Sequence, residues 1–216
     1  MDHDEVWRTI DAERSSVADL LDDLSAEEWE TPSLCAGWRV RDVAAHLTLA
    51  QMGVLTASRE LLRAGGNFNV MIRDSARRQA ALPVAEYSRR LRGMVGSRRK
   101  APGVTHLEPL IDILVHGQDI AIPLGRARTM PGEAAATAAT RVWRTSWPFY
   151  ARRRLRGLQL AATDVSWTVG QGPRVEGPIS ALLLLLTGRT ADLASLSGSG
   201  AGGLPALLSR LDHAPG

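Results

Sequence analysis

The 216-residue sequence predicts a mainly α protein, a four-helix bundle over residues 1–128 followed by a small α+β domain over residues 129–216. Three observations predict it. Apolar residues recur at helical spacing in four segments before residue 128, and the connections between those segments are short or moderate. After Pro131 the texture changes to short β-type runs set between glycine-rich turns.

The first helix is read from Val6 to Leu24, with Val6, Ile10, Val17, Leu20, Leu21 and Leu24 on one stripe and acidic residues toward its start. Ser25 and Glu28 have capping-box form, and Pro32 with Gly37 marks a loop. A second helix is expected to begin near Arg39 and run on a broad apolar stripe, through Val43, Leu47, Val54 and Leu61, until Gly65-Gly66 stops it. Residues 67–82 look less regular. Val84, Tyr87, Leu91 and Met94 give a third amphipathic helix with an arginine-rich outer face, ending near Gly96. Thr105 and Glu108 again have capping-box form, and the fourth helix runs from Leu107 to a stop at Pro123 and Gly125. Beyond Pro131 we expect a helix over 133–147, strands at 158–160, 165–169 and 174–175, and helices over 179–186 and 204–211 around a flexible Gly/Ser stretch.

Composition excludes several classes of function. A hydrophobic content of 44% in 216 residues is enough for a sizeable core. No apolar run approaches the roughly 20 residues of a membrane helix, and the first residues are acidic where a signal peptide is basic, so we expect a cytoplasmic protein with no membrane partner. The single cysteine, Cys35, excludes an internal disulfide framework. Lys100 is the sole lysine, and arginine carries the remaining basic charge of a chain whose net charge is only +3. Nucleic-acid binding needs a broad basic surface with a reading element, and neither is present in the pattern.

The strongest local chemical signal is Asp112-x-x-x-His116, because residues four apart on a helix share a face and can converge on one ion. Alone it is a weak signal, since a histidine on an apolar helix is more often a satisfied structural residue. His46 strengthens it: this imidazole also lies in an apolar helix, where burial demands a partner. Two imidazoles and one carboxylate form the three-ligand set of an open, catalytic zinc site, and the same set also suits iron, nickel or manganese. His3, His106 and His213 stand near a chain end or a helix start and are expected to be solvent-exposed.

The stretch Pro32-Ser33-Leu34-Cys35-Ala36-Gly37-Trp38-Arg39-Val40-Arg41-Asp42-Val43-Ala44-Ala45-His46-Leu47 resembles the signature of the mycothiol-dependent maleylpyruvate isomerase family, within the DinB-like metal-binding bundles. Leu114-Val115-His116-Gly117-Gln118-Asp119-Ile120 with Pro123-Leu124-Gly125-Arg126 resembles its second motif, and Val175 to Arg189 its C-terminal part. The resemblance implies a DinB-like bundle whose divalent metal, zinc as the first choice, is held by His46, Asp112 and His116. Family members that isomerise maleylpyruvate typically carry glutamate where this chain has Asp112, and aspartate is shorter by one carbon–carbon bond, about 1.5 Å. The implied partners are mycothiol and a small electrophile, and the implied reaction is an isomerisation or an S-transfer. A metal-dependent enzyme without thiol and a non-catalytic, regulatory metal-binding bundle stand as the alternatives.

The remaining motif residues have plainer readings. Cys35 is expected to fill a small buried apolar place, because no basic partner is evident beside it in sequence. Trp38 is expected to anchor the helix entrance. Asp119 could orient His116 or could bond backbone near the helix end. Arg152, Arg153, Arg154 and Arg156 read as a solvated face, with anion binding as the alternative.

Overall fold

The computed structural model describes residues 1–212, and its first compact unit spans Met1–Thr129. α1 (His3–Asp22) opens with a reciprocal cap: Asp2 accepts the Glu5 N–H at 2.8 Å, and Glu5 accepts the Asp2 N–H at 2.7 Å. These bonds satisfy donors that a helix start otherwise leaves open. Val6, Ile10, Val17 and Leu21 are buried, as the spacing requires. Ser25 and Glu28 cap the short α2 (Ala26–Glu30) in the same way.

The apolar stripe from Arg39 onward is not one helix. α3 (Val40–Leu47) ends at Thr48, whose hydroxyl donates to the Ala45 carbonyl at 2.7 Å, and α4 (Val54–Arg63) restarts only after the extended Gly53. A threonine that bonds back three residues competes with the helical ladder, so the apolar period does not carry through. α4 also buries the opposite face from the one its sequence suggests. It hides Glu60 between Arg63 and Arg78 and exposes Val54, Leu55 and Leu62.

The irregular-looking stretch after it is a regular helix, α5 (Phe68–Gln79), opened by the Asn67 side chain, which accepts the Val70 N–H at 3.1 Å. Its hidden residues are Met71, Ser75 and Ala76, with Ala80 just beyond its end. Helical spacing is present there, but in residues too small or too polar to register as an apolar period.

α6 (Ala85–Gly93) and α7 (Leu107–Ala121) complete the bundle. α1 packs against α6 and α7, while α3 packs against α7, α5 and α6. Val17, Leu21, Trp29, Val43, Tyr87, Leu91 and Ile113 meet in the shared core. Arg14, only 2% exposed, reaches from α1 to the end of α6, donating to the Met94 carbonyl at 2.8 Å and the Ser97 carbonyl at 3.3 Å. A cation placed on C-terminal carbonyls complements the helix dipole, and Asp11 at 3.3 Å balances its charge.

The second unit begins at Met130. α8 (Gly132–Arg144) lays an alanine face, Ala134, Ala135, Ala138 and Ala139, against α10 (Ile179–Leu186). Between them come α9 (Ala151–Arg154), one turn within the arginine run, and three strands, β1 (Gln159–Ala162), β2 (Thr168–Gly170) and β3 (Arg174–Gly177). Their order is β2-β1-β3, with β1 antiparallel to β2 and parallel to β3, so that Leu160 lies opposite both Val169 and Val175. α11 (Leu204–Asp212) ends the described chain.

α10 is preceded by Pro178, which offers no side-chain cap, and Asp164 serves instead by accepting the Ile179 N–H at 2.9 Å. Asp164→Ala is expected to lower stability by about 1 kcal/mol, the usual worth of a helix cap. Urea denaturation monitored by circular dichroism checks this, and an unchanged midpoint would remove Asp164 from the role.

Candidate metal centre

The site lies where α3 faces α7. α3 turns Val40, Val43, Ala44 and Leu47 into the core, which leaves His46 beside that face with its side chain 19% exposed. On α7, Asp112 and His116 stand one helical turn apart on the edge of an otherwise buried surface, 26% and 15% exposed. Apolar packing of α3 on α7 therefore brings together three polar side chains that neither helix could place alone.

Asp112 sits between the two imidazoles. One carboxylate oxygen, Oδ1, is 3.2 Å from His46 Nε2 and 3.4 Å from His116 Nε2. The two rings stand edge to face with centroids 4.9 Å apart, and Trp38 closes on His46 at 5.5 Å. Burial pushes the Asp112 carboxyl up, but the charges and hydrogen bonds of His46 and His116 outweigh it and hold the group well below the ordinary carboxylate range. Burial acts against a charged His116 too, yet hydrogen bonds to Asp112, Asp119 and Cys35 raise its pKa well above the usual imidazole value.

The donor set fits a divalent cation. Two imidazole nitrogens and a carboxylate oxygen lie within 4.8 Å of one another. Around a tetrahedral ion with bonds near 2.1 Å, neighbouring donors stand about 3.4 Å apart. The 3.2 and 3.4 Å separations already match two such edges. Asp112, although shorter than glutamate, thus reaches both histidines.

A second cluster lies behind His116. Asp119 is fully buried, and its Oδ2 accepts from His116 Nδ1 at 2.7 Å and from the Cys35 thiol at 3.1 Å. Of the two roles open to Asp119 in the sequence, the contact with His116 that the first requires is present. Cys35 does pack against the core, but the expectation that it lacks a basic partner is overturned, because His116 Nδ1 is 3.7 Å from its sulfur. That partner is 81 residues away, which hides it from any local motif.

The other sequence candidates lie elsewhere. Trp38 is partly buried against the core, as an anchor should be. His3 is exposed and accepts from the Trp7 indole at 3.2 Å, whereas His106 is half-buried rather than exposed, its ring 4.7 Å from that of His3. Neither belongs to a metal-ligating group among the described residues, and His213 lies outside those residues. Arg152, Arg153 and Arg156 are exposed, while Arg154 is half-buried. Among the described residues no helix is long and apolar enough to cross a membrane.

Comparison with known proteins agrees with this architecture. The family described as the mycothiol maleylpyruvate isomerase N-terminal domain matches residues 10–109, a span that includes His46 and stops just before Asp112. No curated protein matches in sequence. Among solved structures, a crystal structure of the mycothiol-dependent maleylpyruvate isomerase superposes with a TM-score of 0.63 at 16% identity, over 93% of this chain and 94% of that one. A histidine-to-alanine mutant of that isomerase gives 0.60 at 15% identity over the same shares. The chain thus matches the mycothiol maleylpyruvate isomerase N-terminal domain over residues 10–109 and shares the fold of a mycothiol-dependent maleylpyruvate isomerase over nearly its whole length.

Proposed function

We propose that His46, Asp112 and His116 hold a divalent metal, zinc first, and that the protein is a mycothiol-using isomerase or S-transferase acting on a small electrophile. The observation that carries this reading is the convergence of the three donor atoms at the α3–α7 contact, in a chain whose residues 10–109 match this family's N-terminal domain. A cation held there would supply a Lewis acid that favours the thiolate form of a low-molecular-weight thiol. His46 and His116 supply neutral nitrogen donors, and Asp112 supplies the one negative charge, leaving a net positive centre that attracts an anionic sulfur. Trp38 beside His46 shields that ligand from water. In an isomerisation the sulfur adds to an activated double bond, rotation follows about the resulting single bond, and cleavage of the carbon–sulfur bond returns the thiol with the trans product. In an S-transfer the carbon–sulfur bond is kept.

The carboxylate assignment is testable by zinc titration. Asp112→Ala is expected to weaken zinc binding more than about 100-fold, since even an outer partner of a ligand is worth 10–100-fold. Asp112→Glu, which restores the acid typical of the resembled isomerases, should bind at least as tightly as the parent. An alanine variant that binds as tightly as the parent assigns the third ligand to another residue.

Zinc affinity should rise with pH through the neutral range. His116 in the metal-free protein is stabilised in its charged form, so a proton must leave Nε2 before the nitrogen can ligate, whereas Asp112 is already ionised. One displaced proton corresponds to about tenfold in affinity per pH unit below the raised imidazole pKa. Calorimetry in buffers of different ionisation enthalpy measures the proton release. A flat pH profile would exclude His116 as a ligand.

The zinc-loaded protein is expected to accelerate addition of mycothiol, or a close cysteinyl analogue, to an activated alkene. The advantage should be greatest near neutral pH, where a free thiol of pKa about 8.5 is mostly protonated. His46→Ala and chelation should each abolish it. If the loaded protein neither binds mycothiol nor changes its ultraviolet thiolate absorption, the thiol assignment fails and the metal reading stands by itself.

A further inference from the structure

The wall behind His116 is built by the loop that precedes α3. Gly37, with φ of 75°, makes the tight turn that lets Ser33 face Trp38, and the Ser33 hydroxyl donates to the Trp38 carbonyl at 2.9 Å while accepting the Cys35 N–H at 3.1 Å. The Leu34 N–H donates to the Asp119 carbonyl at 3.3 Å, tying the loop to the C-terminal half of α7. Cys35 is thereby held against Asp119 through backbone bonds as well as through its thiol.

Two arrangements use Cys35, His116 and Asp119, and the distances choose between them. As ligands of their own ion, these groups would stand at the edges of a tetrahedron, about 3.4 Å or more apart. The 2.7 Å between His116 Nδ1 and Asp119 Oδ2 is far too short for that and is the length of a charge-assisted hydrogen bond. The same oxygen accepts the Cys35 thiol at 3.1 Å. The carboxylate therefore has two donors on one oxygen and is 0% exposed, which pins it in place.

We propose that Asp119 and Cys35 are positioning residues for the metal centre: Asp119 holds the Nδ1–H of His116 so that Nε2 faces Asp112 and His46, and the Cys35 thiol acts as a hydrogen-bond donor that fixes Asp119, rather than as a nucleophile. The proposal rests on the metal reading above for its consequence, but its geometry is independent of it. A histidine that ligates through Nε2 gains basicity and a single orientation when its other nitrogen donates to a carboxylate. Cys35, conspicuous in the signature stretch, acquires a role that needs neither thiolate chemistry nor exposure.

The test combines zinc titration with nitrogen-15 NMR of the histidine rings. The parent should show a His116 Nδ1–H proton that is far downfield and slow to exchange, in both the metal-free and the zinc-loaded protein. Asp119→Ala should lose that signal and weaken zinc 10–100-fold. Because Asp119 is buried, the isosteric Asp119→Asn is the second variant; it should remain folded by circular dichroism, shift the Nδ1–H signal upfield and weaken zinc by a smaller factor. Cys35→Ser keeps a donor and should bind zinc as the parent does, whereas Cys35→Ala should keep the Nδ1–H signal and weaken zinc about two- to fivefold, the worth of one modest hydrogen bond.

Folded Asp119 variants with parental zinc affinity and an unchanged Nδ1–H signal would overturn the proposal. So would two zinc ions per chain with one lost in Cys35→Ala, since the cluster would then be a metal site itself. A parent that binds no zinc defeats the metal reading alone, and the metal-free Nδ1–H signal still decides the positioning role.

Discussion

The Asp112 carboxylate between His46 and His116 is the interaction on which the site depends. Three polar groups, each less than a third exposed, are gathered at a contact made by apolar side chains, and each would cost free energy there without the others. Their mutual hydrogen bonds offset that cost in the metal-free protein by keeping the carboxylate ionised and His116 protonated. A cation would replace the protons in the same place. The arrangement is thus a preformed set of polar groups, charged to complement its own parts.

What holds the set in register is the packing around it. α3 is short, eight residues, and is fixed at both ends: Asp42 accepts the Arg39 N–H at 2.9 Å at its start, and the Thr48 hydroxyl bonds back at its finish. α7 is long and nearly all buried, so its one partly open edge is the edge that carries Asp112 and His116. The loop before α3 then reaches across to the end of α7 through Leu34 and Cys35. A histidine ring has two free torsions, and it is the combination of Asp112 on one nitrogen and Asp119 on the other that removes both.

The break between α3 and α4 has the same logic. A continuous helix through residue 62 would bury the leucine stripe of α4; instead α4 hides Glu60, which is matched by Arg63 and Arg78. Charge pairing on one side outweighs the apolar period on the other, because an unpaired glutamate in that place would cost more than exposed leucines do. The second unit follows simpler rules, with a small sheet in which Leu160 meets Val169 and Val175 and an alanine-faced α8 lying on the leucine-rich α10.

Helical spacing and capping boxes by themselves determined α1, α6, α7 and the bundle class, and the i, i+4 relation determined that Asp112 and His116 share a face. Those are local consequences of backbone geometry and need no knowledge of the rest of the chain. The interruption after Leu47, the helix over 68–79 and the exposure of Val54, Leu55 and Leu62 were decided by tertiary structure, because a back-bonding threonine and a buried ion pair override the apolar period over residues 40–62, and small residues leave none to read over 68–79. His46 was visible as a buried imidazole in need of a partner, and the family resemblance grouped it with Asp112, 66 residues on, but spacing could not, and the α3–α7 contact is what brings the two within 3.2 Å. The same holds for Cys35, whose place against Asp119 and His116 spans more than 80 residues and exists only once the loop is folded onto α7.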